Sequence, residues 1–275
     1  MVSAELDLDA YFQRIGYDGD LAPTLSTLEA IHYRHAVSIP FENLSPLLKR
    51  PVPIDPTSLE RKLVREGRGG YCYEHNLLLK SILERLGFSV TGLSACVVWN
   101  LPEGERTART HCLLRVDLKE GPYLADVGFG GQTLTGPLRL EADVEQATPH
   151  EPFRLVRDGS EFVMQSLVRE EWRSLYRFPN EEQRLVDYEV GNWYVSTHPA
   201  SIFVNGLMAA RPAQDRRYAL INNSLAVHHR NGPSERRSLE TTAELRDVLT
   251  SLFGVTLPDT PDLDPLLEPL IATAR

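Results

Sequence analysis

The spacing of apolar residues changes near Phe88, and this change constrains the fold more than any other feature of the sequence. Before Phe88, apolar residues recur at helical spacing between residues that are typical of helix ends. The predicted helix starts are Thr24 or Ser26 and Asp55-Pro56, and the predicted stops are Gly16 and Gly67. After Phe88, short apolar runs alternate with glycine and proline, which is typical of antiparallel strands. The sequence therefore predicts an α+β protein in which a helical part precedes an antiparallel sheet or small barrel.

The strands and later helices are predicted from the same two signals. The predicted strands before residue 170 lie at 90–99, 113–118, 123–127, 153–156 and 161–168. Later ones are expected around Phe203-Val204, at 218–220 and at 225–227. Thr241 and Glu244 form a capping box for a helix that ends near Gly254. Residues 265–275 are predicted to form a last helix.

Composition excludes several classes of protein. The net charge of −9 over 275 residues argues against a general nucleic-acid binder. No apolar stretch approaches the roughly 20 residues that span a bilayer, so no membrane association is expected. The acidic segment at residues 1–7 lacks the apolar core of a signal peptide. Three cysteines cannot all pair within one chain, so a reduced, cytoplasmic protein is expected.

The most informative motif surrounds Cys72, which follows two glycines and opens a predicted helix. A thiol at a helix N-terminus faces unpaired backbone N–H groups and the positive end of the helix dipole. Both favour the thiolate, which is the nucleophilic form of cysteine. A buried cysteine that behaves as a small hydrophobic residue remains the alternative.

His111 and Asp126 flank a predicted hairpin that turns around residues 119–122. If the loop has an even length, residue numbers paired across the two strands add to an odd total. The two side chains then share one face at the open end of the hairpin, unless a bulge changes the parity. An imidazole and a carboxylate placed beside a thiol would form a nucleophilic triad. Alternatively, His111 is an ordinary polar residue of a strand and Asp126 only stabilises a turn.

Two other interpretations of these residues are weaker. A zinc site would combine four nearby side chains, Cys72, His75, His111 and Cys112. The sequence lacks a compact ligand pair such as Cys-x-x-Cys, so we expect no metal. The glycine-rich run 128–131 lacks the Gly-Lys-Ser/Thr ending of a phosphate-binding loop.

Together, several motifs resemble those of arylamine N-acetyltransferases, in particular bacterial and actinobacterial members. The motifs occur in the family's order over about 160 residues: Ile39–Leu44, Arg68–Asn76, Arg109–His111, Asp126–Gly131, and Trp193–Pro199 with Phe203. The sequence departs from the family pattern at Tyr73, where phenylalanine is commoner, and at Cys112, where an ordinary apolar residue is usual. The region after Asp215 resembles the family only weakly.

The resemblance implies a cysteine-protease-like catalytic core within three parts. A helical bundle (1–88) would carry the cysteine, and an antiparallel β-barrel (89–190) would carry the histidine and aspartate. An interdomain segment and α/β lid (191–275) would follow. The implied reaction moves an acetyl group from acetyl-CoA to a small aromatic amine or hydrazine, through an acetylated cysteine in a ping-pong mechanism. The resemblance does not predict the oligomeric state or the natural acceptor.

The resemblance also implies roles for individual residues. The nucleophile, base and orienting carboxylate would be Cys72, His111 and Asp126. The walls of the acceptor pocket would include Phe129 and Phe203. The residues near coenzyme A would be Thr110, Gly130 and His228. The structural polar residues around the cysteine would be Glu42, Arg68 and Asn76.

The main rival is a transglutaminase-like enzyme or another cysteine hydrolase, because such enzymes also order Cys, His and Asp along the chain. The two classes differ in what relieves the acyl-enzyme, an amine or water.

Overall fold

A computed structural model describes residues 6–102 and 104–272. Most of residues 1–7, on which the signal-peptide expectation rests, lie outside this range, as do residues 273–275 of the predicted last helix.

The N-terminal part is helical. Its helices are α1 (Leu8–Ile15), α2 (Leu25–Ser38), α3 (Leu44–Leu47), α4 (Pro56–Leu59) and α5 (Cys72–Arg85). A short strand, β1 (Phe41–Glu42), lies between α2 and α3. No helix of the described residues is long and apolar enough to cross a membrane.

The helix boundaries follow from side-chain caps. Thr24 accepts a hydrogen bond from the Thr27 amide at 3.3 Å, so α2 begins there and not at Ser26. Asp55 caps α4 in the same way, and a π-helical segment, Glu60–Arg65, continues α4. The predicted stop at Gly16 is confirmed, because this residue adopts the left-handed conformation that glycine favours.

Helix α5 lies at the centre of the N-terminal part. Its first two turns, residues 72–79, are buried on every side, whereas Glu84 and Arg85 in its last turn are exposed. A helix segment that is buried all round lies in the interior, so neighbouring elements surround the start of α5. The N-terminal residue of α5 is therefore held firmly in place.

The central part is an antiparallel sheet of eight strands that curls into an almost closed barrel. The strands are β2 (Ser89–Val97), β3 (Arg109–Leu118), β4 (Gly121–Ala125), β5 (Leu138–Arg139), β6 (Glu145–Gln146), β7 (Phe153–Asp158), β8 (Glu161–Val168) and β9 (Glu171–Pro179). Their order in the sheet is β5-β4-β3-β2-β9-β8-β7-β6. The two edge strands meet through one side chain, since the amide of Gln146 bonds the backbone N–H and C=O of Arg139 at 2.7 and 2.9 Å.

The C-terminal part begins with α6 (Leu185–Thr197) and α7 (Ile202–Asn205) and continues as a second antiparallel sheet. Its own strands are β10 (Met208–Pro212), β11 (Arg216–Ile221), β12 (Ser224–His229) and β13 (Glu235–Ser238). The helices α8 (Thr242–Ser251) and α9 (Leu263–Ala272) follow. Strand β1 adds to the edge of this sheet by pairing with β10, so the N-terminal and C-terminal parts share one sheet.

The predicted α+β class and antiparallel barrel are confirmed, whereas one local prediction is wrong. Phe203 and Val204 lie in the short helix α7 and not in a strand. Ser201 caps this helix by accepting from the Phe203 amide at 3.2 Å. Two adjacent apolar residues carry no periodicity, so the cap decides the local structure. Strand β9 and helix α6 were not predicted.

Three histidines, His32, His35 and His75, are fully buried in the helical part. Two of them form a one-way chain of hydrogen bonds. Tyr11 donates to His35 Nδ1 at 2.9 Å, His35 Nε2 donates to His75 Nδ1 at 3.0 Å, and His75 Nε2 donates to the Pro40 carbonyl at 3.1 Å. The carbonyl can only accept, so His75 Nε2 carries a proton, and with both rings neutral the direction of each remaining bond follows. Burial lowers the pKa of His75 to about 4 and that of His35 well below its usual value.

We expect these buried rings to make the protein less stable in acid. The pKa of His75 is about 4 in the folded protein against an ordinary value of 6.5, so the unfolded chain binds more protons between these pH values. The stabilisation is complete above pH 6.5 and is lost as the pH falls toward 4. Urea unfolding at pH 7.5 and pH 4.5 should show a loss of about 3 kcal/mol from such a histidine.

His75→Gln is the matched variant, because a glutamine amide can donate to the Pro40 carbonyl and accept from His35. Its free energy of unfolding should fall less steeply with acid than that of the unsubstituted protein. Equal pH slopes for the two proteins would contradict a neutral, acid-sensitive His75.

Candidate active site

Cys72 is the first residue of α5, and the chain before it is tightly fixed. The Tyr71 amide donates to the carboxylate of Glu74 at 3.1 Å, which caps the helix start. Gly69 runs so close to β1 that a Cβ atom there would lie 2.0 Å from the Pro40 carbonyl oxygen. The glycine is therefore required for the approach of this loop. Cys72 is 5% exposed and lies at the N-terminal, positive end of the helix dipole.

A bulge in β3 brings the barrel to the thiol. Ala95 of β2 pairs with His111 and Cys96 pairs with Arg109, so β3 carries one extra residue, Thr110. The carbonyl oxygen of Thr110 accepts from Cys72 Sγ at 3.6 Å. His111 therefore follows the residue that contacts the thiol.

His111 and Asp126 meet as the hairpin interpretation predicts. Leu114 pairs with Ala125, so paired residue numbers add to an odd total and the two side chains share a face. His111 Nε2 donates to Asp126 Oδ2 at 2.7 Å, and both residues are buried. The second ring nitrogen of His111 is not used by Asp126, and the Cys72 side chain lies near enough to the ring to help raise the pKa of His111.

His111 and Asp126 each stabilise the charged form of the other. Burial lowers the pKa of His111, but the charge and hydrogen bond of Asp126, with a smaller contribution from Cys72, raise it to about 10. Burial would raise the pKa of Asp126, but the His111 ring and the hydrogen bonds to this carboxylate hold it below its usual value. At neutral pH the pair is therefore an imidazolium beside a carboxylate.

The side chain of Asn76 joins α5 to this pair. Its Nδ2 donates to Asp126 Oδ1 at 2.9 Å and to the Cys112 carbonyl at 2.7 Å. Its Oδ1 accepts from the Val127 amide at 3.0 Å. The amide thus takes the place of a peptide group between β3 and the chain after β4. Because Asn76 and Cys72 lie on the same helix, this bridge fixes the thiol relative to the His111–Asp126 pair.

Aromatic rings lie beside His111 and beside the Cys72 end of α5. The ring of Phe129 meets the His111 ring edge-on at 5.3 Å, and Tyr176 of β9 lies 4.9 Å from His111. Phe203 stacks on Tyr71 at 5.4 Å, next to the Cys72 end of α5. The two predicted pocket residues, Phe129 and Phe203, therefore flank the site from the barrel side and from the helix side. Aromatic walls of this kind suit a flat apolar ligand.

The three residues expected near coenzyme A lie in three different places: beside Cys72, in the turn after Asp126, and in the C-terminal sheet. Thr110 contacts Cys72 directly through its carbonyl. Gly130 has a φ of 86° in the turn after Asp126, where its amide donates to Thr133 at 3.2 Å. His228 belongs to the C-terminal sheet, where it bonds Ser234 at 2.8 Å and pairs across the sheet with Arg217.

The zinc arrangement considered from the sequence is not formed. Both ring nitrogens of His75 are engaged, one by His35 and one by the Pro40 carbonyl. Within residues 6–102 and 104–272, no group of three or more His, Cys, Asp or Glu side chains is placed to hold a metal ion.

Sequence reasoning missed two residues that contact the site. Tyr176 lies in the unpredicted strand β9, where period-2 alternation is weak. His32 of α2 accepts a hydrogen bond from the Asp126 amide at 3.2 Å. Its signal was present, because a polar ring stands on the apolar face of a predicted helix, but the sequence cannot say which group it binds.

Comparison with known proteins identifies the class of enzyme. Residues 24–261 match the family model described as N-acetyltransferase. Arylamine N-acetyltransferase from Mycolicibacterium smegmatis is 49% identical over 258 residues, which is 92% of this chain and 94% of that protein. The corresponding protein of Escherichia coli K12 is 42% identical over 253 residues, covering 92% and 90% of the two chains.

Solved structures agree with the sequence comparisons. The structure of Mycobacterium marinum arylamine N-acetyltransferase superimposes with a TM-score of 0.93 at 43% identity, over 96% of this chain and 100% of that one. A structure of the M. marinum enzyme in complex with CoA gives a TM-score of 0.91 at 45% identity, over 97% and 99%. The chain belongs to the arylamine N-acetyltransferase family and has its cysteine-protease-like fold, as the sequence motifs predicted.

Two glycines of the turn after Asp126 provide a matched test of the geometry. A Cβ on Gly128 would lie 2.7 Å from Cys72 Cα and 2.9 Å from Asn76 Nδ2, whereas a Cβ on Gly131 meets nothing within 4 Å. We expect Gly128→Ala to lower the thermal unfolding midpoint and the alkylation rate of Cys72, because the turn must move away from α5. Gly131→Ala should change neither. Equal behaviour of the two variants would show that the turn does not pack on the cysteine.

Proposed function

We propose that this chain transfers an acetyl group from acetyl-CoA to arylamines and arylhydrazines through an acetylated Cys72, by a ping-pong mechanism. The proposal rests on one observation above all: the 2.7 Å bond of His111 to Asp126 lies beside a thiol at a helix N-terminus. Nucleophile, base and orienting carboxylate are the division of labour that thiol acyl transfer requires.

In the first half-reaction, the sulfur of Cys72 attacks the thioester carbonyl of acetyl-CoA. A carbon–sulfur bond forms to Cys72, and the carbon–sulfur bond to coenzyme A breaks. His111, which at neutral pH already holds the proton of the Cys72 thiol as an imidazolium, gives this proton to the leaving coenzyme A sulfur. One thioester replaces another, so the protein needs mainly to activate and position the groups.

In the second half-reaction, the nitrogen of an arylamine or hydrazine attacks the acetyl carbonyl. The carbon–nitrogen bond forms as the bond to Cys72 breaks, and the amine proton passes to His111, which is now neutral and acts as a base. Arylamines are weak bases that carry a free lone pair at pH 7. Phe129 and Phe203 would contact the flat ring of the acceptor from opposite sides of the site.

Coenzyme A would approach past Thr110 and Gly130, with His228 contributing from the C-terminal sheet. In this scheme the helical part (1–88) supplies the nucleophile and the barrel (89–190) supplies the base and carboxylate. The remaining part (191–275) closes over the cofactor. The CoA complex of the M. marinum enzyme supports a coenzyme A thioester as the donor. Three free cysteines favour a cytoplasmic location.

Acetyl-CoA alone should acetylate Cys72. We expect intact-mass spectrometry to show an increase of about 42 Da before any amine is added, as for a covalent acyl-enzyme. Addition of an arylamine should remove the adduct and yield the acetylated amine. Cys72→Ser should form no adduct, while Cys96→Ser, which alters a buried cysteine of β2, should still form it.

The same experiment tests the rival hydrolase. Loss of the adduct at the same rate with and without an amine would indicate transfer to water. No adduct on Cys72 at all, together with peptide hydrolysis, would refute acetyl transfer.

Asp126→Asn should slow acetyl transfer by about 100-fold or more, because a neutral amide no longer holds the His111 ring in the required tautomer. The alkylation of Cys72 by iodoacetamide at pH 6 should slow in parallel. In the unsubstituted protein, Cys72 should react much faster than Cys96 or Cys112, since Cys112 is fully buried and burial raises its pKa well above the usual value. Near-normal turnover of Asp126→Asn would mean that another group orients His111.

A further inference from the structure

The backbone amide of Asp126 lies just beyond the end of the β3–β4 pairing and needs a hydrogen-bond acceptor from elsewhere. The pairing of β3 with β4 ends at Leu114 and Ala125, so the next amide has no strand partner. Asp126 is fully buried, and a buried N–H without an acceptor costs free energy that native proteins avoid. The chain leaves the sheet at this point, and the Asp126 side chain bonds His111.

His32, on helix α2, supplies this acceptor. Its Nε2 accepts the Asp126 N–H at 3.2 Å, although the two residues are 94 positions apart. His32 is itself fully buried on α2. An imidazole nitrogen can accept only when it carries no proton, so the proton of the neutral ring is on Nδ1, a buried atom without a hydrogen-bond partner among the described residues.

The surroundings keep this ring neutral. Burial lowers the pKa of His32 to about 4, and the charge of Asp126 opposes this only in part. The titratable groups that face the ring are Asp126 and, on its own helix, the neutral His35. At neutral pH the ring is therefore an acceptor aimed at one backbone amide.

We infer that His32 is a positioning residue for the acetyl-transfer reaction, which holds the backbone of Asp126 so that its carboxylate meets His111. This inference rests on the proposed function. Asn76 and the Gly128 amide hold Asp126 Oδ1, and His111 takes Oδ2. His32 supplies the remaining constraint, on the main chain. Without this acceptor the peptide would turn to find another, and the carboxylate would turn with it.

Three variants separate positioning from simple stabilisation. His32→Phe keeps a ring of similar size but removes the acceptor. His32→Gln restores an acceptor oxygen near the position of Nε2. Ile31→Ala removes a fully buried side chain from the neighbouring position of α2 and controls for destabilisation alone.

The kinetic test measures acetylation of Cys72 in single turnover and its alkylation by iodoacetamide, at a temperature where each variant is folded. We expect His32→Phe to slow both by about 10- to 100-fold, the usual effect of misplacing a reacting group by about 1 Å. His32→Gln should recover most of the rate. Ile31→Ala should keep the full rate per folded molecule despite its lower unfolding temperature.

The result that overturns the inference is an unchanged rate in folded His32→Phe, or a loss in Ile31→Ala equal to that in His32→Phe. If His32→Phe does not fold, the hydrogen bond from the Asp126 amide to His32 in the unsubstituted protein decides. In ¹⁵N-labelled protein, the unsubstituted chain should show a through-bond coupling between the Asp126 amide nitrogen and His32 Nε2. Absence of this coupling, with Nε2 protonated at pH 7, would refute the contact.

Failure of the proposed function is distinguishable from failure of this inference. If the unsubstituted protein forms no acetyl-Cys72, the proposed function falls, whereas the coupling and the alkylation rates still report whether His32 positions the triad.

Discussion

The structure depends on a single side-chain amide, that of Asn76, inserted between two strands that have begun to separate. After Ala125 the chain leaves β3, and Asn76 restores the missing hydrogen bonds by pairing with the Cys112 carbonyl and the Val127 amide. The same amide bonds Asp126. A hairpin that stayed paired would direct its peptide groups to each other and leave no room for a helix residue. The local separation of the strands thus lets the helical part and the barrel share one set of polar contacts.

The core around this bridge contains four buried histidines in two different charge states. His111 has a carboxylate within hydrogen-bond distance and is cationic at neutral pH. His32, His35 and His75 are equally buried but bond backbone, tyrosine or another imidazole, and burial keeps them neutral. The contrast shows that burial favours the neutral ring and that a carboxylate partner reverses this preference in His111.

Much of this arrangement could be predicted from the sequence because its signals are local. The Cys72 helix start, the facing of His111 and Asp126 across a hairpin, and the order of the helical and barrel parts depend on periodicity, caps and parity. Helix α6 was missed for a non-local reason. Gly191 in its middle is typical of a helix break, yet a Cβ there would lie 2.1 Å from the hydroxyl of Tyr73. The role of His32 could not be predicted either, because its hydrogen-bond partner lies 94 residues away in the sequence.

Between the edge strands β5 and β6 of the barrel, a side chain takes the place of backbone hydrogen bonds. Where Gln146 meets Arg139, two amide contacts take the place of a continuous ladder. Backbone ladders resist opening cooperatively, whereas a glutamine can rotate away and be replaced by water without disturbing its neighbours. The wall would therefore part first along this seam, between β5 and β6.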